Sequence, residues 1–141
     1  MKTINFLSAL IICLMLIPTQ GEAQTSKNKI EVLNFHSTHR CMTCKAIEAN
    51  TLYTLKTFFA EEMKNGIIVQ KTINVDKEEN EKIAEKFEAS GTSLFLNVIS
   101  DGKETKIDLS NFAFKKGKDK EAYSKELKEE IEAQLLVIEQ K

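Results

Sequence analysis

The sequence has little of several features, and each shortage narrows the classes of protein to consider. The chain has 141 residues with no Trp, one Pro and three Cys, and its formal net charge is −1. Charged residues of both signs make up 29% of it, so no basic excess marks a nucleic-acid surface or an anionic membrane as a partner. Repeats and low-complexity segments are lacking too. A chain of this length forms one domain around a modest core.

The longest apolar run lies at the start of the chain, over Phe6–Ile17. It follows a lysine and is too short to span a bilayer, which takes about 20 residues. Pro18 ends the run, and Gly21-Glu22-Ala23 has the small residues of a signal-peptidase site. We therefore predict a signal peptide over 1–23, a polar leader over 24–28 and a folded domain over 29–141. The alternative is an uncleaved anchor.

Removal of this segment changes the cysteine count. Cys13 leaves with the signal peptide, and the mature chain keeps only Cys41 and Cys44. An exported protein meets an oxidising compartment, where such a pair tends to form a disulfide. Because so short a loop removes little entropy from the unfolded chain, the pair is poorly placed to stabilise the fold and well placed to react.

The spacing of apolar residues predicts the order β-α-β-α-β-β-α. We expect strands at 29–36, 67–75, 93–99 and 104–109, and helices at about 41–64, at 77–88 and from Tyr123 to Ile138. The first crossover makes a parallel pair, and the late hairpin adds antiparallel strands. The predicted fold class is therefore α/β, a four-stranded mixed sheet with helices on both faces.

Local signals fix the ends of these elements. Asn65-Gly66 ends the first helix, and Asp76 with Glu79 has the pattern of a capping box for the second. Residues 100–103 have the composition of a hairpin turn. We assign Lys115–Lys118 to a loop and interpret its charges as a solvated surface.

Cys41 and Cys44 fall where the first strand gives way to the first helix. A helix N-terminus carries partial positive charge and unpaired N–H groups, which stabilise a thiolate at Cys41. Cys44 lies one turn further in, close enough to close a disulfide. A C-x-x-C pair at such a junction indicates thiol–disulfide redox chemistry, with an inert disulfide as the alternative.

With this motif and this order of elements, residues 29–140 resemble the thioredoxin-like superfamily in its minimal form. Phe35, Asn74-Val75-Asp76 and Gly91-Thr92-Ser93 are further matching points. The segment Arg40–Glu48 also resembles a narrower group of small exported proteins, the ArsF-like proteins or subunits of nitrophenyl-compound nitroreductase.

The resemblance implies an enzyme, an exported thiol–disulfide oxidoreductase that works through a Cys41–Cys44 disulfide. Cys41 is then the nucleophile that attacks a target disulfide, and Cys44 resolves the mixed disulfide. No cofactor is implied. The expected partner is a protein or small molecule that carries a disulfide or dithiol, with no nucleic acid and with a membrane met only during export. We expect a monomer in the periplasm or outside the cell.

Three positions depart from the usual pattern of this superfamily. Ser93 stands where a cis-proline usually faces the dithiol. Without proline a cis bond costs about 2.5–4 kcal/mol, so we expect a trans Thr92–Ser93 bond. Asn34 stands where many members have a buried acid that helps proton transfer. Arg40 replaces the aromatic residue before the first cysteine.

Three side chains are candidate supporting residues. The Arg40 guanidinium adjoins Cys41 and can lower the pKa of its thiol; the alternative is a solvated loop arginine. His39 can exchange a proton beside Cys41. The Ser93 hydroxyl can hydrogen-bond the Cys41 thiolate or a substrate, or it can be a tolerated replacement.

Two further functions stay open from the sequence. A soft metal or metalloid can bind Cys41 and Cys44 with His39, since thiolates and imidazoles suit zinc and copper; the alternative is a pair of surface histidines. The chain can also be an accessory redox subunit of a nitroreductase-type or membrane complex.

The export hypothesis predicts the first residue of the mature protein. Cleavage after the small residue Ala23 leaves Gln24 at the N-terminus. N-terminal sequencing of periplasmic or secreted protein tests this. Recovery of the full-length chain from the cytosol would contradict it.

Overall fold

The structure, a computed structural model, describes residues 28–140; the predicted signal peptide, most of the polar leader and residue 141 lie outside these residues. Within them no helix is long and apolar enough to cross a membrane. The elements are β1 (Lys29–His36), α1 (Met42–Phe58), α2 (Ala60–Lys64), β2 (Ile68–Asn74), a 3₁₀ turn (Glu78–Asn80), α3 (Glu81–Lys86), β3 (Ser93–Ser100), β4 (Lys103–Asp108), α4 (Ser110–Lys116) and α5 (Lys120–Glu139).

The four strands form one mixed sheet in the order β2-β1-β3-β4. β1 runs parallel to β2, with Ile30 opposite Ile68, and antiparallel to β3, with Phe35 opposite Ser93. β3 and β4 form a hairpin whose two turn residues, at positions 101 and 102, both have positive φ, as in a type I′ hairpin turn. This order and these directions confirm the α/β fold class and the four-stranded mixed sheet predicted from the sequence.

Side chains of β1 point alternately into two cores, so helices cover both faces of the sheet. The larger core lies against α1, α4 and α5 and includes Ile30, Val32, Ile47, Leu55, Leu94, Leu96, Leu127 and Ile131. The smaller core lies on the α3 side around Phe35, Phe87 and Phe95, whose ring centroids are 5.3 to 5.9 Å apart. Both cores meet on β1, whose residues Ile30 to Phe35 are all buried.

The first two predicted helices differ from the observed ones. The helix predicted over 41–64 is two helices, because the backbone breaks at Phe59 and the side chain of that residue, 2% exposed, joins the larger core. The capping box at Asp76 is wrong. The Asp76 carboxylate accepts the Thr38 N–H at 2.6 Å instead, and a 3₁₀ turn precedes α3.

The loop predicted at Lys115–Lys118 is wrong in its first half, because Lys115 and Lys116 belong to α4, whereas Gly117 and Lys118 form a turn after it. The helix starts where Leu109 N–H donates to the Leu94 carbonyl at 2.8 Å and Leu94 N–H donates to Ser110 Oγ at 3.2 Å. It buries Ala113 in the larger core. Ala113 is the one fully buried residue among the seven of α4, so the sequence of this helix shows no clear helical repeat of apolar residues.

Glu31 is a buried acid on the α3 side of β1. Its carboxylate accepts hydrogen bonds from Lys71 at 2.9 Å and from Asn97 Nδ2 at 3.0 Å, and Lys29 lies 3.1 Å away. Burial raises the pKa of Glu31. The hydrogen bonds from Lys71, Asn97 and Lys29 lower it by more than burial raises it, so that the pKa is about 2. The folded protein therefore stabilises the ionised carboxylate.

This depressed pKa predicts how stability depends on pH. We expect Glu31→Gln to lower the free energy of unfolding by about 2–3 kcal/mol at pH 7. A lowered folded-state pKa gives stability above the ordinary value of 4.5, and that stability is lost as pH falls from about 5 to 2. Urea unfolding of both proteins at several pH values measures the difference.

The matched control is Glu104→Gln, which breaks an exposed ion pair with Lys86 and costs less than about 1 kcal/mol. Equal costs for the two substitutions at pH 7, or a cost for Glu31→Gln that does not shrink on acidification, would contradict this account of Glu31.

Candidate redox site

A disulfide joins Cys41 and Cys44 at the start of α1, with Cα atoms 5.0 Å apart. Cys41 is the N-cap residue of the helix, and Cys44 lies in its first turn. Cys41 is exposed, whereas Cys44 is 9% exposed. The sulfur open to another molecule is thus that of Cys41, which is the arrangement that an attacking and a resolving cysteine need.

The Cys41 sulfur caps the helix. Its Sγ accepts the backbone N–H of Cys44 at 3.0 Å, and the Cys41 carbonyl accepts the Lys45 N–H at 3.1 Å. Sγ therefore occupies the place that a serine or aspartate oxygen usually takes at an N-cap. A thiolate formed there on reduction keeps this donor and lies in the positive field of the helix end.

Arg40, predicted to activate Cys41, has an acidic partner that the sequence analysis missed. Its guanidinium forms an ion pair with Glu48, and its Nη2 donates to the Cys44 carbonyl at 3.4 Å. Both side chains are about one-fifth exposed. Glu48 lies one helical turn after Cys44, so an acid at this spacing was the signal available in the sequence. The charge of Arg40 is therefore balanced beside the disulfide.

Ser93 lies at the end of the sheet from which the chain leaves for Cys41. All peptide bonds within residues 28–140 are trans, as predicted for Thr92–Ser93. The Ser93 hydroxyl donates to the Gly91 carbonyl at 3.4 Å rather than to the Cys41 sulfur. Gly91 lies beside Ser37, whose Oγ would be 3.6 Å from an added Cβ. The turn before β3 thus borders the loop that precedes the disulfide.

The two histidines lie beside Asp76. His39 is exposed, and His36 Nδ1 is 2.9 Å from the Ser37 carbonyl. The backbone N–H of Thr38 is the main cause of a lowered Asp76 pKa, and both histidines lower it further. Across residues 28–140 no group of three or more His, Cys, Asp or Glu side chains is placed to hold a metal ion. The soft-metal alternative therefore gains no third ligand from this geometry.

Asn34 stands at the position where the resemblance implies a buried acid. Its side chain is fully buried, and neither Nδ2 nor Oδ1 has a hydrogen-bond partner among the described residues. An amide gains and loses no proton in the physiological range. Glu31, the buried acid that β1 does carry, points to the opposite face of the sheet, because side chains alternate along a strand.

The end of α4 packs against the first turn of α1. Gly117 follows this helix, and its carbonyl accepts a hydrogen bond from Asn50 Nδ2 at 3.0 Å. A Cβ at this position would lie 2.7 Å from the Ala113 carbonyl oxygen and 3.0 and 3.2 Å from side-chain carbons of Ile47 and Thr43. Only glycine fits so close to Thr43, the residue between Met42 and Cys44.

Comparisons with known proteins found similarity among solved structures only. No protein-family model matches the sequence, and no curated protein matches it. A malarial protein is 19% identical with a TM-score of 0.40, and the match covers 63% of this chain and 96% of that protein. Thioredoxin from Fasciola hepatica is 20% identical (TM-score 0.42; 64% and 78% covered). Mitochondrial thioredoxin 3 from Saccharomyces cerevisiae, in its oxidized form, is 22% identical (TM-score 0.42; 64% and 77%).

The N-cap position of Cys41 and the Arg40–Glu48 pair together predict the pKa of the Cys41 thiol in the reduced protein. In a Cys44→Ser background we expect the Cys41 thiol to have a pKa below the free value of about 8.5. Adding Glu48→Gln leaves the guanidinium unbalanced and should lower this pKa further, by about half a pH unit; adding Arg40→Gln should raise it. The pH dependence of the alkylation rate measures all three values.

A midpoint at or above about 8.5 in the Cys44→Ser protein would reject the helix end as an activator. One common midpoint for the three proteins would show that the Arg40–Glu48 pair has no influence on the thiol.

Proposed function

We propose that this protein is an exported thiol–disulfide oxidoreductase of thioredoxin type. The observation that carries the proposal is the disulfide at the start of α1, in which exposed Cys41 caps the helix and buried Cys44 lies one turn inside. The mixed sheet supports it, because β1 ends in the loop that leads directly to Cys41.

Two exchange steps make up the reaction. The Cys41 thiolate attacks one sulfur of a substrate disulfide, so that a mixed disulfide forms and the other substrate sulfur leaves as a thiolate. The deprotonated Cys44 sulfur then attacks Cys41 Sγ and releases the second substrate sulfur. Two electrons pass from the dithiol to the substrate, and the two substrate thiolates take up protons. The same steps in reverse oxidise a substrate dithiol.

The proposal includes the place of action and the class of partner. The apolar run and small-residue site in residues 1–23 support export to the periplasm or the outside of the cell, a setting in which disulfides persist. The partner is a protein or small molecule that carries a disulfide or dithiol. The sulfur pair itself holds the transferred electrons, so the reaction needs no further cofactor.

Single-cysteine variants test the proposed reaction. Reduced wild-type protein should convert one equivalent of bis(2-hydroxyethyl) disulfide into two thiols and return to the Cys41–Cys44 disulfide. Cys44→Ser should stop at a mixed disulfide with half of the reagent, visible as added mass, because the resolving sulfur is missing. Cys41→Ser should react far more slowly, since its remaining sulfur is buried.

Mass spectrometry of quenched samples follows each species, and Ser37→Ala serves as a control for handling and folding. Failure of the reduced wild-type protein to react, or equal reaction rates for Cys41→Ser and wild type, would refute the oxidoreductase proposal.

A further inference from the structure

Three lysines at the end of α4 flank the point where the chain packs against the C-x-x-C segment. We call Lys115, Lys116 and Lys118 the lysine patch. Gly117 separates the last two and packs against Thr43, within the C-x-x-C segment itself. Because consecutive Cα atoms are about 3.8 Å apart, Lys116 and Lys118 each begin one residue from this contact. The fold therefore brings to the site charges that lie more than 70 positions away in sequence.

Packing fixes the position of the lysine patch. Ala113 anchors α4 in the larger core, and the Asn50–Gly117 hydrogen bond ties the end of α4 to α1. Both Asn50 and Gly117 are buried. The lysine side chains can move, but the backbone that carries them is held against the helix that Cys41 caps.

The lysine patch carries positive charge that no ion pair within the described residues neutralises. Lys115 and Lys118 are exposed, Lys116 is half-buried, and none of the three forms an ion pair within residues 28–140. Two acids, Asp119 and Glu121, follow in sequence, and Asp119 also accepts the Ala122 N–H at 3.0 Å as the cap of α5. Residues 115–121 contain four lysines against these two acids, so a net positive charge remains. A local excess of positive charge thus lies where the chain packs against Thr43 of the C-x-x-C segment, in a chain whose net charge is −1.

We infer that the lysine patch favours protein partners whose reacting disulfide or dithiol is flanked by acidic residues. The inference rests on the proposed function, because it names the partner class for that same site. Charges beside a reaction centre raise the local concentration and the association rate of an oppositely charged partner. Met42, 84% exposed beside Cys41, offers such a partner an uncharged contact at the site.

Single-turnover reduction of two disulfide-bonded peptides tests this inference with the full mature chain. The peptides share one disulfide loop, flanked by Asp and Glu in one and by Lys in the other. At low ionic strength we expect the acidic peptide to react about 10-fold faster than the basic one. The ratio should fall towards one at 0.5 M salt, because salt shortens the range of exposed charges to a few Å.

A charge-matched pair of variants locates the effect. Lys115→Gln, Lys116→Gln and Lys118→Gln together should lower the rate with the acidic peptide, relative to that with uncharged bis(2-hydroxyethyl) disulfide, by about 5- to 10-fold. The control combines Lys56→Gln, Lys64→Gln and Lys103→Gln, which remove the same charge from the ends of α1 and α2 and from the start of β4. The control should keep the wild-type ratio.

Equal rates for the two peptides at low salt, or equal losses in the two triple variants, would overturn the inference. Urea unfolding of both triple variants shows whether each is folded before rates are compared. A wild-type protein that fails to reduce even the uncharged disulfide would instead refute the proposed oxidoreductase, so the two failures are distinguishable.

Discussion

The arrangement of the molecule depends on β1, which has hydrogen-bonded neighbours on both edges and buried side chains on both faces. A slip of one residue in its pairing would move Phe35 from the smaller core to the larger one and bring Asn34 among the phenylalanine rings. Such a slip would also displace the loop that ends at Cys41. The register that assembles the two cores is therefore the register that sets the disulfide at the start of α1.

The polar and charged groups close to the disulfide act on it over short distances. The helix end donates an N–H to Cys41 Sγ, and Glu48, one helical turn after Cys44, forms an ion pair with Arg40. Lysines without ion-pair partners among the described residues lie further out, around the end of α4, where Gly117 packs against Thr43. The groups that contact the sulfur are thus separate from the lysines that we propose to meet a partner.

Local chemistry made the strands and the motif predictable from sequence. β1 has the predicted bounds, the hairpin falls at the predicted turn, and Cys41 lies at the predicted helix start. The missed features depend on contacts distant in sequence. Asp76 binds the Thr38 backbone instead of capping a helix, and Gly117 packs directly against Thr43 and Ile47 of α1. Periodicity carries no information on such contacts, because each arises only when separate elements pack.

In the sheet of the described residues, β2 and β4 are the edge strands. Their composition affects whether two copies of the protein can associate edge to edge. An unpaired edge offers free N–H and C=O groups to any strand nearby, and lysines along it oppose such pairing. β4 carries Lys103 and Lys106, and β2 carries Lys71, which forms an ion pair with Glu31. The lysines of the two edge strands thus disfavour the edge-to-edge association that leads to aggregation.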